Sequence, residues 1–245
     1  MATATKTSPA RRSTQTRTRR ETRRGRKRTP LTRERVGKEA LRLVDEQGLD
    51  ALTMRALGKR LGVEAMSLYN HVDGRAGLEA EIVGLLWEEA EHSLVEGEGW
   101  RDSLRSLARC LRALAIEHPN AFPLLLSASA FAGPMLRVLG RGLDVLRDAG
   151  FEEELAAQTI NAVTSYAAGY GAMEISCFTA VRAREAGTDQ LALDLARMLP
   201  PDASPELARI ARCTCAADPS DQFEFGLEAL LAGLDPACET RAPAD

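Results

Sequence analysis

Residues 52–78 read LTMRALGKRLGVEAMSLYNHVDGRAGL, and this stretch decides the fold. Thr53 is a suitable helix N-cap, because its hydroxyl can accept a hydrogen bond from a free backbone N–H, and apolar residues follow it at helical spacing. The pattern predicts a helix over residues 53–61, a tight turn at Gly62 and a further helix over residues 64–71. Two short helices joined by a glycine turn are typical of a helix-turn-helix unit. The side chains that we assign to its interior are Met54, Leu57, Leu61, Val63, Leu68 and Val72.

Helical patterns continue on both sides of this unit. Residues 32–47 carry an apolar stripe between an N-cap candidate, Thr32, and a stop signal, Gly48. This stripe consists of Val36, Ala40, Leu43 and Val44. Downstream, a long helix is predicted from Gly74 to about residue 95, and further helices at 100–117, 121–130, 134–149, 152–185, 189–199 and 219–234. Strand-like alternation of Val, Ile and Thr is missing from the sequence, so the predicted fold class is all-α.

The element Leu-Tyr-Asn-His-Val at residues 68–72, followed by Arg75 and Leu78, closely resembles the DNA-binding domain of the TetR family of repressors. The resemblance is firm over residues 32–95. Beyond it, the chain agrees in its all-helical architecture and in the Gly-Glu-Gly-Trp sequence at residues 97–100.

This resemblance implies a ligand-responsive transcriptional regulator, most simply a repressor. Such a protein binds a palindromic DNA operator as a homodimer and is released by a small effector. Three segments are expected: a disordered basic arm over residues 1–30, a helix-turn-helix domain over residues 31–75, and an all-helical effector-binding and dimerisation domain over residues 76–245.

The resemblance also assigns DNA contacts residue by residue. Ser67 is the only hydrogen-bonding side chain among the three residues expected at base edges, and Arg55 is expected at phosphate or at a guanine edge. Phosphate contacts are expected from Tyr69, His71 and Arg75. Asn70 is expected to contact phosphate or a base, and Thr53 is expected to cap its helix and also to contact phosphate. The full set is Thr53, Arg55, Ala65, Met66, Ser67, Tyr69, Asn70, His71 and Arg75. Plainer alternatives are a core aromatic for Tyr69, a helix cap for His71 and a solvated charge for Arg55.

Charge is divided unevenly along the chain. The net charge is −3, yet residues 1–30 hold 11 Lys or Arg and one acid, whereas residues 76–245 hold 13 basic and 27 acidic residues. A basic, core-poor arm favours contact with the phosphates or the minor groove of DNA over a role as a solubility tail.

In this family the C-terminal half dimerises and usually holds an effector. Apolar stripes on the helices predicted at 152–185 and 219–234 predict a four-helix bundle across a two-fold axis, and intramolecular core is the alternative. The predicted interface residues are Val163, Tyr166, Phe223, Leu227, Leu230, Leu231 and Leu234. The predicted effector pocket, which could equally be a filled core, comprises Trp87, Leu107, Leu111, Leu114, Phe131, Met135, Leu139, Tyr170 and Met173.

Residues 122–126 read FPLLL where the resemblance would place a metal-binding histidine, so a mostly hydrophobic effector is expected instead of tetracycline with magnesium. No cofactor, metal or catalytic site is predicted, because the chain has no glycine-rich phosphate loop and its three histidines lie on separate elements. Without a candidate membrane span or secretory signal, a cytoplasmic protein is expected. Two other functions remain open: a redox-sensing regulator using Cys177 or the Cys213 and Cys215 pair, and an architectural DNA binder without a ligand.

Overall fold

The fold comes from a computed structural model, which describes residues 1, 30–95, 97–127, 133–182, 204, 206, 209 and 218–234. In the long helix that ends at Arg182, side chains are described up to residue 176. Every regular element within these ranges is an α-helix or a 3₁₀ turn and none is a strand, which confirms the all-α prediction. From Thr32 onward the described residues belong to one compact unit.

Helix α1 (Arg33–Gln47) lies where the sequence predicts it. Thr32 Oγ1 accepts a hydrogen bond from the Arg35 N–H at 3.2 Å, and the Gly48 N–H donates to Val44 O at 2.7 Å. These bonds satisfy backbone groups that a helix leaves free at its ends. The predicted apolar stripe of α1 is buried throughout, at Val36, Ala40, Leu43 and Val44.

Helices α2 (Met54–Leu61) and α3 (Ala65–Leu68) form the helix-turn-helix, after a 3₁₀ turn at Leu49–Ala51. Thr53 Oγ1 accepts from the Ala56 N–H at 3.1 Å, which confirms the predicted N-cap of α2. Gly62 ends α2 with φ +67° and ψ +36°, a left-handed conformation that glycine adopts without steric strain.

The contact between α2 and α3 depends on a second glycine. A Cβ at Gly58 would lie 3.0 Å from Val63 O and 3.3 Å from Ala65 N, so this position has no room for a side chain. Of the side chains predicted inside the unit, Leu57, Leu68 and Val72 are buried, and Met54, Leu61 and Val63 are half-buried.

Helix α3 is one turn shorter than predicted. It ends at Leu68, and residues 69–71 continue as a turn. The N–H groups of His71 and Val72 both donate to Leu68 O, at 2.9 and 3.1 Å, so the hydrogen-bond ladder closes on this carbonyl and does not continue.

Helix α4 (Gly74–Ser93) connects the helix-turn-helix with the rest of the chain. It packs against α1 and against the helices that follow it, so apolar side chains are buried around much of its circumference. These side chains are Leu78, Ile82, Val83, Leu86, Trp87 and Ala90.

Four further helices follow: α5 (Trp100–Glu117), α6 (Gly133–Asp148), α7 (Glu153–Arg182) and α8 (Pro219–Gly233). The most extensive helix packing is between α5 and α7, and α6 packs against α4, α5 and α7. Among the described helices, none is long and apolar enough to cross a membrane.

The prediction of a helix over residues 121–130 is wrong for residues 121–127, which the structure describes. Phe122–Leu126 form a 3₁₀ turn, after which the Ser127 N–H donates to Leu124 O at 3.2 Å. Residues 128–130 of this prediction, and the helix predicted over residues 189–199, lie outside the described residues.

Helix α8 packs against α5 and α7 of the same chain. Val163, Phe223, Leu227 and Leu231 are each no more than 1% exposed, and the Tyr166 hydroxyl donates to Phe223 O at 2.8 Å. A side chain that is already buried has no surface left for a second subunit. For these four residues the predicted interface role is therefore corrected to intramolecular core, whereas Tyr166, Leu230 and Leu234 are half-buried and their role at a dimer interface stays a prediction.

Candidate nucleic-acid interface and ligand cavity

The segment formed by α3 and the following turn, residues 65–71, presents the side chains predicted to read DNA, and we call it the reading segment. Met66 is 74% exposed, Tyr69 is 50% exposed and Asn70 is also exposed. Leu68 lies between them and is fully buried, so it anchors the segment on the core. The half-buried neighbours are Ala65, Ser67 and His71. The exposure of Tyr69 argues against its alternative assignment as a core aromatic.

Helix α2 contributes a second exposed edge. Arg55 is exposed, whereas the Thr53 hydroxyl is engaged in the N-cap of α2. Lys59 is also exposed and follows Arg55 by one helical turn. Lys59 is not among the predicted DNA contacts, although its i, i+4 spacing from Arg55 is a signal for it in the sequence.

Arg75 has a structural role that the sequence analysis did not predict. Its Nη2 donates to Leu49 O at 3.2 Å and its Nη1 lies 3.5 Å from Leu52 O, while Nε donates to Glu79 at 2.7 Å. The guanidinium group therefore connects the first turn of α4 with the segment just before α2. Contact with phosphate stays a prediction for this side chain, which is about half exposed.

A cavity of about 410 Å³ lies between α4, α5, α6, α7 and the 3₁₀ turn Phe122–Leu126. Four of the predicted pocket residues line it: Trp87, Leu111, Met135 and Leu139. The other lining residues are not among the predicted ones, and they are Phe122, Leu125, Leu126, Thr164, Ser165, Ala168 and Gly169. None of these described lining residues is charged, so the walls fit an uncharged, mostly apolar molecule.

The other predicted pocket residues lie elsewhere. Leu107 lines a neighbouring cavity of about 510 Å³ beside Leu94 and Arg141, and Leu114 is buried in the core. Tyr170 packs edge-on against Phe223, and Met173 is 57% exposed. Phe131 lies outside the described residues.

The loop after α5 connects the cavity wall with α1. His118 Nδ1 lies 2.9 Å from Asp45 Oδ2 in α1, and its Nε2 lies 3.2 Å from Glu89 Oε2 in α4. Asn120 Nδ2 donates to Asp45 O at 2.9 Å. Phe122 follows two residues later and lines the cavity.

Three side chains at this junction have the composition of a cation site. Glu89, Glu117 and His118 each offer a ligand atom, and these atoms lie within 4.8 Å of one another. Burial and the neighbouring Glu89 carboxylate raise the pKa of Glu117. Partly exposed groups of this kind are common in proteins without a metal, so their composition alone does not establish a metal site.

The cysteine side chains give no support for a redox site within the described part of the chain. Cys110 is buried, its thiol donates to Ala90 O, and burial raises its pKa to about 11. A thiol with this pKa remains protonated at neutral pH and is a poor nucleophile. The side chains of Cys177, Cys213 and Cys215 lie outside the described residues.

Two family models together match most of the chain. The model described as bacterial regulatory proteins, tetR family, matches residues 38–82, and the one described as tetracyclin repressor-like, C-terminal domain, matches residues 95–237. The first match includes α2, α3 and the segment predicted to read DNA. The second includes the residues that line the cavity from α5 onward.

Individual relatives agree with these matches. The HTH-type transcriptional repressor DrrR1 of Streptomyces coeruleorubidus is 29% identical over 212 residues, which are 84% of this chain and 77% of the relative. The tetracycline repressor protein class D of Escherichia coli is 31% identical over 208 residues, which are 84% of this chain and 89% of the relative. The crystal structure of ActR from Streptomyces coelicolor in complex with actinorhodin has a TM-score of 0.71 and 29% identity, covering 84% of this chain and 96% of that one.

Regulators of this family are DNA-binding transcription factors without enzymatic activity. A helix-turn-helix with an exposed reading segment, an apolar cavity among the helices that follow it, and the two family matches agree with one another. The chain therefore belongs to the TetR family of transcriptional regulators.

Proposed function

We propose that this regulator is a repressor that binds a palindromic operator as a homodimer and leaves it when an uncharged, mostly apolar effector fills the 410 Å³ cavity. Its place of action would be the cytoplasm, where the operator is accessible. The repressor DrrR1 and the complex of ActR with actinorhodin support both parts of this proposal, because one relative is a repressor and the other binds a small molecule.

One observation carries the proposal: α4 belongs to both candidate sites. Arg75 in its first turn holds the segment before α2, and Trp87, 12 residues later, lines the cavity. At 1.5 Å per residue these positions are about 18 Å apart along the helix. A ligand that displaces Trp87 would tilt a rigid helix whose other end positions the reading segment. Effector and operator would then weaken each other's binding by the same factor.

The candidate DNA interface would contribute two kinds of contact. Arg55, Tyr69 and Arg75 carry donors suited to phosphate, which fix orientation without distinguishing sequences. Met66 and Ser67 are suited to base edges, with an apolar contact and a hydrogen bond respectively. The basic arm over residues 1–30 would add further phosphate contacts.

The proposed dimer uses the outer surfaces of α7 and α8, because their inner surfaces are buried in the protomer. Phe225 on α8 is 79% exposed and Met173 on α7 is 57% exposed. Small exposed residues accompany Phe225 on α8, namely Ala229 and Ala232. An apolar surface with small residues permits close helix packing, and regulators of this family typically bind DNA as dimers.

The operator proposal can be tested by selecting bound duplexes from a random library. The affinity of the most enriched duplex is then measured by fluorescence anisotropy. An inverted repeat with half-sites about one helical turn apart is expected, since two related reading segments would enter successive major grooves. Enrichment without a repeat, or no enrichment at all, would contradict the proposal and favour an architectural DNA binder.

The cavity proposal can be tested with Nile red, an uncharged dye that fluoresces in apolar surroundings. Gly169→Leu should abolish its binding, because a Cβ at Gly169 meets no atom within 4 Å and the added side chain would extend into the cavity. Gly140→Leu on α6 is the control, since its Cβ is equally unobstructed and the residue does not line the cavity. Equal binding by both variants would show that the dye binds elsewhere and would contradict the cavity proposal.

The dimer proposal can be tested by measuring molar mass in solution at micromolar concentration. Phe225→Glu should convert the dimer to a monomer, because it places a charge in an apolar contact. Leu136→Glu on α6 is the control, since Leu136 is 64% exposed and lies away from the proposed surface. A dimer that survives Phe225→Glu would refute this interface.

A further inference from the structure

The imidazole of His118 has more acceptors beside it than one neutral ring can serve. Its Nδ1 lies 2.9 Å from Asp45 Oδ2, and its Nε2 lies 3.2 Å from Glu89 Oε2. A neutral imidazole carries a single N–H, so it can donate to only one of these carboxylates. The other ring nitrogen then presents its lone pair to a carboxylate oxygen, and the two repel each other. A cation on that side of the ring, either a proton or a metal ion, would remove the repulsion.

The acids around His118 carry more negative charge than one proton can balance. The carboxyl groups of Asp45 and Glu89 flank the ring, and Glu117 lies beside Glu89. Burial and the neighbouring Glu89 carboxylate raise the pKa of Glu117, as expected where like charges lie close together. Asp45 Oδ1 is buried and has no hydrogen-bond partner among the described residues. A divalent ion would supply twice the charge of a proton at this point.

The basic side chains on the neighbouring cavity wall are already engaged. Lys38 and Arg42 line a cavity of about 390 Å³, which Asp45, Glu89 and His118 also line. Both belong to α1 and donate to other acids of the same helix, Lys38 at 2.6 Å and Arg42 at 3.4 Å. The cavity therefore offers a path by which an ion from solution can reach the acids around His118.

The donor atoms have the spacing of a transition-metal site. Ligand atoms of Glu89, Glu117 and His118 lie within 4.8 Å of one another. Two ligands bonded at about 2.0–2.2 Å to one tetrahedral zinc ion are about 3.4 Å apart, close to the 3.2 Å between His118 Nε2 and Glu89 Oε2. Asp45 faces the opposite ring nitrogen, and a metal-binding histidine almost always donates its other N–H to such a group.

We propose that Glu89, Glu117 and His118 bind a divalent transition-metal ion such as Zn²⁺, with Asp45 orienting the imidazole and water as the fourth ligand. The imidazole nitrogen favours such an ion over Mg²⁺ and Ca²⁺, which prefer oxygen ligands. The ion would join α4 to the end of α5 and, through Asp45, to α1. The site shares no lining residue with the 410 Å³ cavity, so it does not depend on the proposed effector.

Zinc binding can be measured by equilibrium dialysis at pH 7, after a chelator has removed metal from the full chain. One Zn²⁺ per chain should bind, and Glu117→Gln should weaken its binding at least about tenfold, since removing even an outer-shell partner of a metal ligand costs about tenfold to hundredfold. Glu88→Gln is the matched control, because Glu88 lines the same cavity next to Glu89 and is not part of the cluster. Equal zinc affinity in both variants would overturn the proposal and assign the ion to other groups, such as cysteine thiols. Absence of saturable binding by the full chain would overturn it as well.

A second measurement distinguishes a metal ion from a proton. In ¹⁵N-labelled protein, zinc should shift the Nε2 resonance of His118, while Nδ1 keeps its proton. Comparison with His118→Gln and His92→Ala assigns the resonance. A large excess of Mg²⁺ should not reverse the shift, and reversal would refute the role of the imidazole as a ligand. A doubly protonated ring that zinc leaves unchanged would refute the metal site and show that a proton alone balances these carboxylates.

Discussion

His118 at the end of α5 places its imidazole between Asp45 in α1 and Glu89 in α4, at 2.9 and 3.2 Å. One ring thus contacts both a helix of the DNA-binding unit and the helix that lines the cavity. Asn120 reinforces this junction through Asp45 O, and the cavity-lining turn begins at Phe122. The junction gives the ligand cavity a second physical connection to the reading segment, besides α4 itself.

Replacing His118 should loosen this junction. His118→Ala leaves Asp45 and Glu89 without their shared partner, and we expect a loss of about 1–3 kcal/mol in the free energy of unfolding. Urea denaturation monitored by circular dichroism measures this free energy of unfolding. His92→Ala is the control, because His92 is exposed at the end of α4 and its Nδ1 lies 2.6 Å from Glu88 O of the same helix. A similar loss in both variants would show that the junction has no special role.

Variants in the reading segment should lose either affinity or sequence preference, depending on whether the replaced side chain contacts phosphate or a base. Tyr69→Phe removes a phosphate donor and should lower affinity for all duplexes by a similar factor, without affecting stability, because Tyr69 is exposed. Ser67→Ala should instead relax preference at one base position per half-site by up to roughly 1 kcal/mol. Repeated duplex selection with each variant distinguishes them. A changed consensus for Tyr69→Phe with an unchanged one for Ser67→Ala would reverse these roles.

Arg75→Ala should affect stability as well as DNA binding. The variant removes donors from Leu49 O and Leu52 O, so we expect a loss of about 0.5–1.5 kcal/mol in stability together with weaker binding to all duplexes. Arg55→Ala is the comparison, since exposed Arg55 should affect affinity alone. Thermal unfolding and anisotropy at two salt concentrations give both quantities. Equal stability in the two variants would mean that the Arg75 contacts are not maintained in solution.

Two glycine-to-alanine substitutions should have opposite effects on the stability of the fold. Gly58→Ala introduces a Cβ 3.0 Å from Val63 O and should destabilise the chain by about 1–3 kcal/mol, because α2 and α3 must move apart. Gly84→Ala, inside α4, meets no atom within 4 Å and should stabilise it by about 0.5–1 kcal/mol. Chemical denaturation tests both. Stabilisation by Gly58→Ala would show that the turn is looser than described.

Acid should weaken the attachment of α8 to α5. Hydrogen bonds from Arg109 and Arg105 hold the pKa values of Glu224 and Glu228 below the ordinary range. Lowered pKa values stabilise the fold above the unfolded glutamate pKa of about 4.3, and this contribution is lost as pH falls through the folded values.

Replacing both glutamates with glutamine should therefore reduce stability at pH 7 and make little difference below about pH 3. The effect should be modest, about 0.2–1 kcal/mol per pair, because both carboxylates are partly exposed. Glu152→Gln, at an exposed position before α7, should leave the pH profile unchanged. A stability difference that persists at low pH would have to come from packing, not from charge.

The local patterns in the sequence predicted most of the fold. Thr32 and Thr53 cap α1 and α2 as predicted, because capping depends on a few neighbouring residues. The 3₁₀ turn Phe122–Leu126 was predicted as a helix, since its apolar run has no period that distinguishes the two structures.

Packing partners were harder to predict. The stripe containing Phe223 and Leu227 is apolar whether it faces another helix of the same chain or a second subunit, so the sequence could not decide between core and interface. The cavity shows the same limit. Trp87 and Leu111 were predicted to line it, but Ser165 and Gly169 were not, because small residues have no apolar signature.

The brevity of α3 has a consequence for engineering. A helix of a single turn cannot persist in water, because too few hydrogen bonds offset the cost of nucleation. The reading segment owes its shape to the burial of Leu68 and Val72 and to the glycine contact at Gly58. Anyone who wishes to graft this DNA specificity onto another scaffold would therefore have to transplant α1 through the start of α4 as one module.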